Sequence, residues 1–202
     1  EKKMADFLGV KNSIAVNSGT SSMLLSLDAL GIQDGDEIIT TPFTFAATSN
    51  VIVQRKAHPI FVDIEPETFN LDPKKIESAI TKKTKGIMPI DYGGQSAEII
   101  EINEIAQKHG LSVIEDAAPA LGGIHKTKKV GSVSTMTGFS FGPDKNLNTG
   151  EGGLIVTNDD ELAEKCKILR KNGTDTRYHH VEIGWGAKMP DPNAALGISQ
   201  LK

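Results

Sequence analysis

Ser140 and Lys145 lie five residues apart in Phe139-Ser140-Phe141-Gly142-Pro143-Asp144-Lys145, after an apolar strand-like run and ahead of Gly150-Glu151-Gly152-Gly153. A hydroxyl and an amine so spaced can hold a phosphate and present a nucleophile to a carbonyl. A lysine amine forms a Schiff base with an aldehyde. Surface-loop lysines are common, so the pair needs partners elsewhere in the chain. Asn17-Ser18-Gly19-Thr20-Ser21 is one. Small residues opening a helix expose unpaired N–H groups and a partial positive charge, which suits a phosphate. The same residue types also serve as a plain N-cap. Ile114-Glu115-Asp116-Ala117-Ala118 is the other, an acidic pair ending an apolar run. A carboxylate there can pair with a protonated ring nitrogen, cap the following segment or ligate a metal. Asp116 is the better candidate, because it stands at the strand end. A metal is the poorer reading: no histidine or second carboxylate sits at ligand spacing, and His125 is isolated.

A phosphate anchor, a ring-nitrogen partner and an imine-forming amine are the three needs of pyridoxal 5'-phosphate (PLP). Tyr178-His179-His180 suggests a metal at first sight. Neighbours on an extended chain point to opposite faces, however, and the tract reads as a loop. A nicotinamide-dependent dehydrogenase is disfavoured, since no G-x-G-x-x-G follows the first strand.

The elements that must carry these residues alternate. Strands are predicted at 13–16, 37–40, 59–62, 86–90, 111–115, 137–141 and 153–156. Helices are predicted after Thr20, with Met23, Leu24, Leu27 and Leu30 on one face, and at 45–54, 73–80, 99–109 and 160–170. Pro73 suits a first helical position and Gly110 a helix stop. The alternation predicts an α/β fold of three layers, α/β/α, around a mostly parallel central sheet. Ligands on such sheets bind beyond the carboxyl ends of the strands, where all the candidate residues fall.

With 202 residues, 38% hydrophobic and 24% charged, the chain can build one large domain with a core of its own. A net charge of -4 gives no nucleic-acid surface and no basic membrane patch. The single cysteine, Cys166, excludes an internal disulfide framework and fits a reducing cytoplasm. No apolar run is long enough to span a bilayer, and no signal peptide opens the chain. Both termini read as cut.

The chain resembles the DegT/DnrJ/EryC1/StrS family of sugar aminotransferases, of aspartate-aminotransferase fold type I. The resemblance rests on Asn17 to Ser21, Pro42-Phe43-Thr44-Phe45-Ala46-Ala47-Thr48, Phe61-Val62-Asp63-Ile64, Glu115 to Ala118, Phe139-Ser140-Phe141 with Lys145-Asn146-Leu147, and Thr149 to Gly153. Each motif is weak alone; in family order they cover nearly the whole chain. The resemblance implies that Lys145 forms the imine with PLP and shuttles the proton, and that Asp116 pairs with the pyridine nitrogen. It implies that Gly19, Thr20 and Ser140 hold the phosphate with Ser21 as a helper, and that Phe45 stacks on the ring rather than filling a core. No metal is implied.

It further implies a cytoplasmic homodimer with its active site at the subunit interface. The enzyme would move an amino group from an amino acid, glutamate being usual, to a keto group of a nucleotide-linked sugar. Residues 1–202 would be the PLP-binding large domain, truncated at both ends relative to the family and without its small C-terminal domain. PLP-dependent sugar dehydratases of the family replace the lysine by histidine, so Lys145 argues against that activity. The match departs at Pro119, where glutamine or histidine is usual. It departs again at Gly184-Trp185-Gly186-Ala187-Lys188-Met189, where Gly186 and Lys188 replace asparagine and arginine, and at Asp144. Pro119 and Gly186 are what would support a non-catalytic or regulatory relative.

Overall fold

The computed structural model describes residues 1–201. In chain order, α1 (Lys2–Leu8) leads to β1 (Asn12–Val16), α2 (Gly19–Ala29), β2 (Glu37–Thr40), α3 (Ala46–Gln54) and β3 (His58–Phe61). Next come α4 (Pro73–Ala79), β4 (Thr84–Ile87), a 3-10 turn at Tyr92–Gly94, α5 (Ile99–His109) and β5 (Ser112–Asp116). The small hairpin β6 (Ile124–His125) and β7 (Lys128–Lys129) precedes β8 (Met136–Ser140), β9 (Gly153–Thr157) and α6 (Asp160–Leu169). A second hairpin, β10 (Thr174–Thr176) and β11 (His179–His180), and α7 (Asp191–Gln200) complete the described residues.

Seven strands form one sheet in the order β1-β9-β8-β5-β4-β2-β3. The ladders β8-β5, β5-β4, β4-β2 and β2-β3 are parallel, and β9 runs antiparallel to both of its neighbours. The expected mostly parallel sheet is therefore present. Both of its faces are covered, which is why the strands read as unbroken apolar runs. Successive side chains alternate: Ile38 and Ile114 pack with Met23, Leu27 and Ile52 of α2 and α3, whereas Ile39 and Val113 pack with Ile76 and Ile102 of α4 and α5. Three layers result.

Helix ends follow their local chemistry. Asp72 caps α4 through Lys74 N–H with Pro73 in the first turn, and Asp159 caps α6 through Glu161 and Leu162 N–H. Gly110 ends α5 in the left-handed conformation at φ 65. Helix α2 is buried from Ser22 to Ala29 with no exposed side, its Ser22, Ser26 and Asp28 included, because it crosses under β9, β8 and β5 to reach the middle of the sheet. Glycines permit that crossing: a Cβ on Gly138 would stand 2.5 Å from Ser22 Oγ, and one on Gly153 would stand 2.3 Å from the Ser18 carbonyl oxygen.

One expectation is corrected here. Residues 178–180 are not a plain loop, since His179 and His180 pair with β10. Helix α7 and both hairpins escaped the strand-and-helix reading: two- and three-residue strands carry no measurable period, and α7 has no buried residue to mark a face. Among the described residues no helix is long and apolar enough to cross a membrane.

Candidate functional site: a cleft at the carboxyl ends of the strands

A cleft of about 380 Å3 opens where β1, β5 and β8 end. Gly19, Thr20, Phe45, Asp116, Ser140 and Lys145 all line it. These segments lie far apart in sequence and are joined by the α2 crossing and the parallel pairing of β5 with β8. Helix α2 starts at the cleft, with Ser18 as its extended N-cap accepting from Ser21 N–H at 3.0 Å. Gly19 packs against the end of β8 so closely that a Cβ there would stand 2.7 Å from Ser140 Cβ. A helix N-terminus, a bare backbone and a hydroxyl thus converge on one spot, a cradle for an anionic group.

Ser21 is the predicted member that does not line the cleft. Its hydroxyl instead lies 3.0 Å from Ser18 Oγ as part of the cap. Ser18 takes its place on the wall, and a sequence pattern that reads both as cap residues cannot rank them.

Asp116 ends β5 with its carboxyl buried. Its Oδ2 accepts from Thr48 Oγ1 at 2.7 Å and its Oδ1 from Ala118 N–H at 3.2 Å. Burial pushes the carboxyl above its ordinary value; the Thr48 hydroxyl, the Ala118 amide and the Lys145 charge pull the other way without cancelling it. A carboxylate so placed, with no ion pair inside the described chain, fits a cationic partner entering from the cleft. Thr48 was not singled out from sequence. Thr44, just ahead of α3, lies 2.7 Å from the Thr48 hydroxyl and leaves Thr48 Oγ1 to donate to Asp116, an arrangement no local sequence pattern marks.

Lys145 stands opposite on the loop after β8, whose turn closes through Lys145 N–H to the Gly142 carbonyl at 3.1 Å. Its Nζ pairs with Asp144 at 2.8 Å, and this holds the Asp144 carboxyl below its usual range. Phe45 immediately precedes α3 and is 79% exposed, on the cleft wall. It is not a core residue. Phe43 is not one either: its ring packs against Phe69 and Tyr92, with centroids 5.5 and 4.7 Å away. Tyr92 and Pro119 line the cleft beside Ala118. Cys166 lies elsewhere, buried against α2, and its thiol is pushed up to about 12 by burial.

Gly186 and Lys188 do not line the cleft. They run along the edge of β1, where Val16 bridges Lys188 and Asn17 N–H donates to the Ala187 carbonyl. Trp185 anchors this segment by donating from Nε1 to Asp28 Oδ2 at 2.6 Å. The two histidines of β11 are occupied locally, His179 with Asp175 and His180 with the Asn172 carbonyl. Among the described residues no cluster of three potential ligands could hold a metal.

Known proteins share both the sequence and the frame. GDP-perosamine synthase of Caulobacter vibrioides is 45% identical over 204 residues, which cover 100% of this chain and 55% of that protein. The UDP-2-acetamido-2-deoxy-3-oxo-D-glucuronate aminotransferase of Pseudomonas aeruginosa is 42% identical over 203 residues, covering 100% of this chain and 56% of that protein. The crystal structure of NtdA from Bacillus subtilis with its cofactor PMP bound superposes with a TM-score of 0.95 at 36% identity, covering 100% of this chain and 46% of the other. The chain therefore spans about half the length of the relatives it matches. A sequence model of the DegT/DnrJ/EryC1/StrS aminotransferase family matches residues 1–202, and the chain belongs to that family.

Proposed function

We propose that residues 1–202 are the cofactor-binding large domain of a PLP-dependent aminotransferase acting on a nucleotide-linked keto sugar. One observation carries this reading: a single cleft in a member of this family holds Lys145, the buried Asp116 and the Gly19–Ser140 cradle together. The sugar-nucleotide substrate class is supported by the relatives in Caulobacter vibrioides and Pseudomonas aeruginosa.

PLP, when bound, supplies an aldehyde for the lysine amine and a cationic ring that withdraws electrons from an adjacent carbon. The residues of the chain do the rest. The N-terminus of α2 with Gly19, Thr20 and Ser140 would hold the phosphate. Asp116, held by Thr48, keeps the ring nitrogen protonated by presenting a carboxylate to it. Phe45, exposed on the cleft wall, would stack on the ring and exclude water from that side. Lys145 Nζ anchors the aldehyde carbon. With PLP bound, Lys145 Nζ would be the group to hold and move a proton at the reacting carbon, for which it must be neutral in part of the cycle.

Glutamate is the proposed amino donor, and a cytoplasmic homodimer the proposed assembly. Lys188 keeps a positive charge on the β1 edge, away from its own cleft, where the family has arginine, but without the planar fork; the family's asparagine, at the position of Gly186, is the residue that reaches a partner subunit's phosphate. Gly186, lacking a side chain, would add nothing there.

The test is the visible spectrum of the full-length protein incubated with PLP. A borohydride-reducible band that is lost in Lys145→Ala supports the reading, and glutamate should bleach that band. A wild-type protein that stays colourless with excess PLP sinks it.

A further inference from the structure

Two buried carboxyls near the cleft have no place in this chemistry. Glu115 precedes Asp116 on β5 and therefore faces the opposite side of the sheet. Its Oε2 accepts from Ser134 Oγ and Thr137 Oγ1, both at 2.9 Å. Asp91 lies at the end of the chain leaving β4, and its Oδ1 accepts from Ala97 N–H at 2.9 Å. Both side chains are fully buried. Each keeps one oxygen, Asp91 Oδ2 and Glu115 Oε1, without a hydrogen-bond partner in the structure. Ionised carboxylate oxygens can only accept, so two of them in contact away from water repel and leave both unsatisfied. One proton between them would satisfy both: the backbone bond from Asp91 N–H to the Asp116 carbonyl sets Asp91 beside β5, and each carboxyl acts on the other.

We propose that Asp91 and Glu115 share one proton and act as a positioning pair for Asp116, fixing the backbone that carries it. The link is direct. Asp91 N–H donates to the Asp116 carbonyl at 3.0 Å, and Asp116 N–H donates to the Pro89 carbonyl at 2.9 Å. The Asp91 side chain closes the turn that brings Tyr92 and Gly93 to the cleft wall. The proton belongs on Asp91. Burial, then the charge of Glu115, drives the Asp91 carboxyl well above its ordinary value, whereas Glu115 keeps two hydroxyl donors that favour its charge.

The ionisable groups acting on the pair are each other and Asp116 on β5. From β8 and the loop before it come only the Thr137 and Ser134 hydroxyls and the Gly131 backbone, and from the 91–97 turn the Ala97 amide. Among the described residues neither carboxyl has a cationic partner. The shared proton thus leaves one negative charge behind Asp116 rather than two.

The proton sharing is a property of the chain, whereas the positioning role rests on the cofactor reading of Asp116; the experiment separates them. The unfolding equilibrium of the full-length protein without PLP is measured against pH for wild type and Asp91→Asn. The asparagine amide can still donate to Glu115, so the charge is unchanged and only the titrating proton is lost. The native wild type retains a proton that the unfolded chain releases. Its unfolding constant should therefore rise tenfold more per pH unit than that of Asp91→Asn, from about pH 4 up to the pKa of the folded pair. Parallel slopes overturn the shared proton.

Should Asp91→Asn not fold, Glu115→Gln carries the same single charge and predicts the same difference in slope. The wild-type infrared spectrum should also hold a protonated-carboxyl stretch at neutral pH, and its absence overturns the proposal. For the positioning role, Asp91→Ala should weaken PLP binding roughly tenfold by freeing the turn, and Asp91→Asn should restore it. Equal affinity in Asp91→Ala overturns that role. A wild type that binds no PLP removes the cofactor reading and the positioning role with it, while the shared proton is still decided by the slopes.

Discussion

Replacing Thr48 by valine isolates the contribution of one hydroxyl to the charge of Asp116. Thr48 is fully buried, and its Oγ1 lies 2.7 Å from Asp116 Oδ2. Valine keeps the shape and removes the donor, so packing changes little while an ionised carboxylate loses one of its two protein donors. A hydrogen bond to a charged group contributes about 1.5–3 kcal/mol. If bound PLP requires the ionised form, affinity should fall roughly 10- to 150-fold at neutral pH. Thr48→Ser, which keeps the hydroxyl, should retain most of it.

The folded protein should respond in the same sense without cofactor. The Asp116 carboxyl is raised by burial, so its contribution to stability is fully present below the ordinary value of 3.8 and is lost as pH rises towards the folded value. Removing the Thr48 donor extends that loss to higher pH, at about 1.4 kcal/mol per pH unit. Fluorescence titration with PLP and denaturant unfolding across pH read the two effects. If Thr48→Val binds PLP as tightly as wild type while Asp116→Asn does not, the hydroxyl has no part in holding the charge and the reasoning fails.

Gly19→Ala should cost about 1–3 kcal/mol in denaturant unfolding and weaken phosphate and PLP binding together, because the added methyl meets Ser140 Cβ at 2.7 Å. Asp144→Asn should leave the thermal midpoint unchanged, since that carboxylate is exposed, and should speed formation of the borohydride-trapped PLP adduct by releasing Lys145 Nζ from its 2.8 Å partner. Trp185→Phe should destabilise by about 1–3 kcal/mol in the same unfolding assay, because Asp28 loses a donor at 2.6 Å inside a mostly buried site.

The layers of the fold were legible because both faces of the sheet are covered, so strands appear as apolar runs and helices as periodic ones. Helix α5 was read to its end residues, since Gly110 punctuates it and its buried positions Ile99, Ile102 and Ala106 keep a helical period. The strand predicted at 86–90 instead forms at Thr84–Ile87. Pro89 donates no N–H to a ladder, and only a single bridge from Ile90 to Asp116 continues the pairing. Of the candidate site, the sequence pattern picks out Lys145, Asp116 and Ser140, which line one cleft. The residues that orient them were not legible, because Thr48 and Asp91 acquire their meaning only from partners 68 and 24 positions away, at Asp116 and Glu115.

Glu115 and Asp116 show how far a sequence pattern reaches and where geometry takes over. As neighbours in an acidic pair they look interchangeable, and the strand end favours Asp116 only by position. In the sheet they point to opposite faces, one to hydroxyls of β8 and its loop and the other to Thr48 and the cleft. Burial raises both carboxyls, but the environments differ in kind. Glu115 meets a second acid and is served by a proton, whereas Asp116 meets a donor from α3 and opens onto the cleft. Exchanging the two residues would keep composition, net charge and strand propensity almost unchanged. It would also put the longer carboxylate into the cleft, out of register with the Thr48 hydroxyl. The Glu115→Asp/Asp116→Glu double variant should therefore fold and fail to bind PLP with wild-type affinity, and tight binding by it would show that charge alone, without register, is enough.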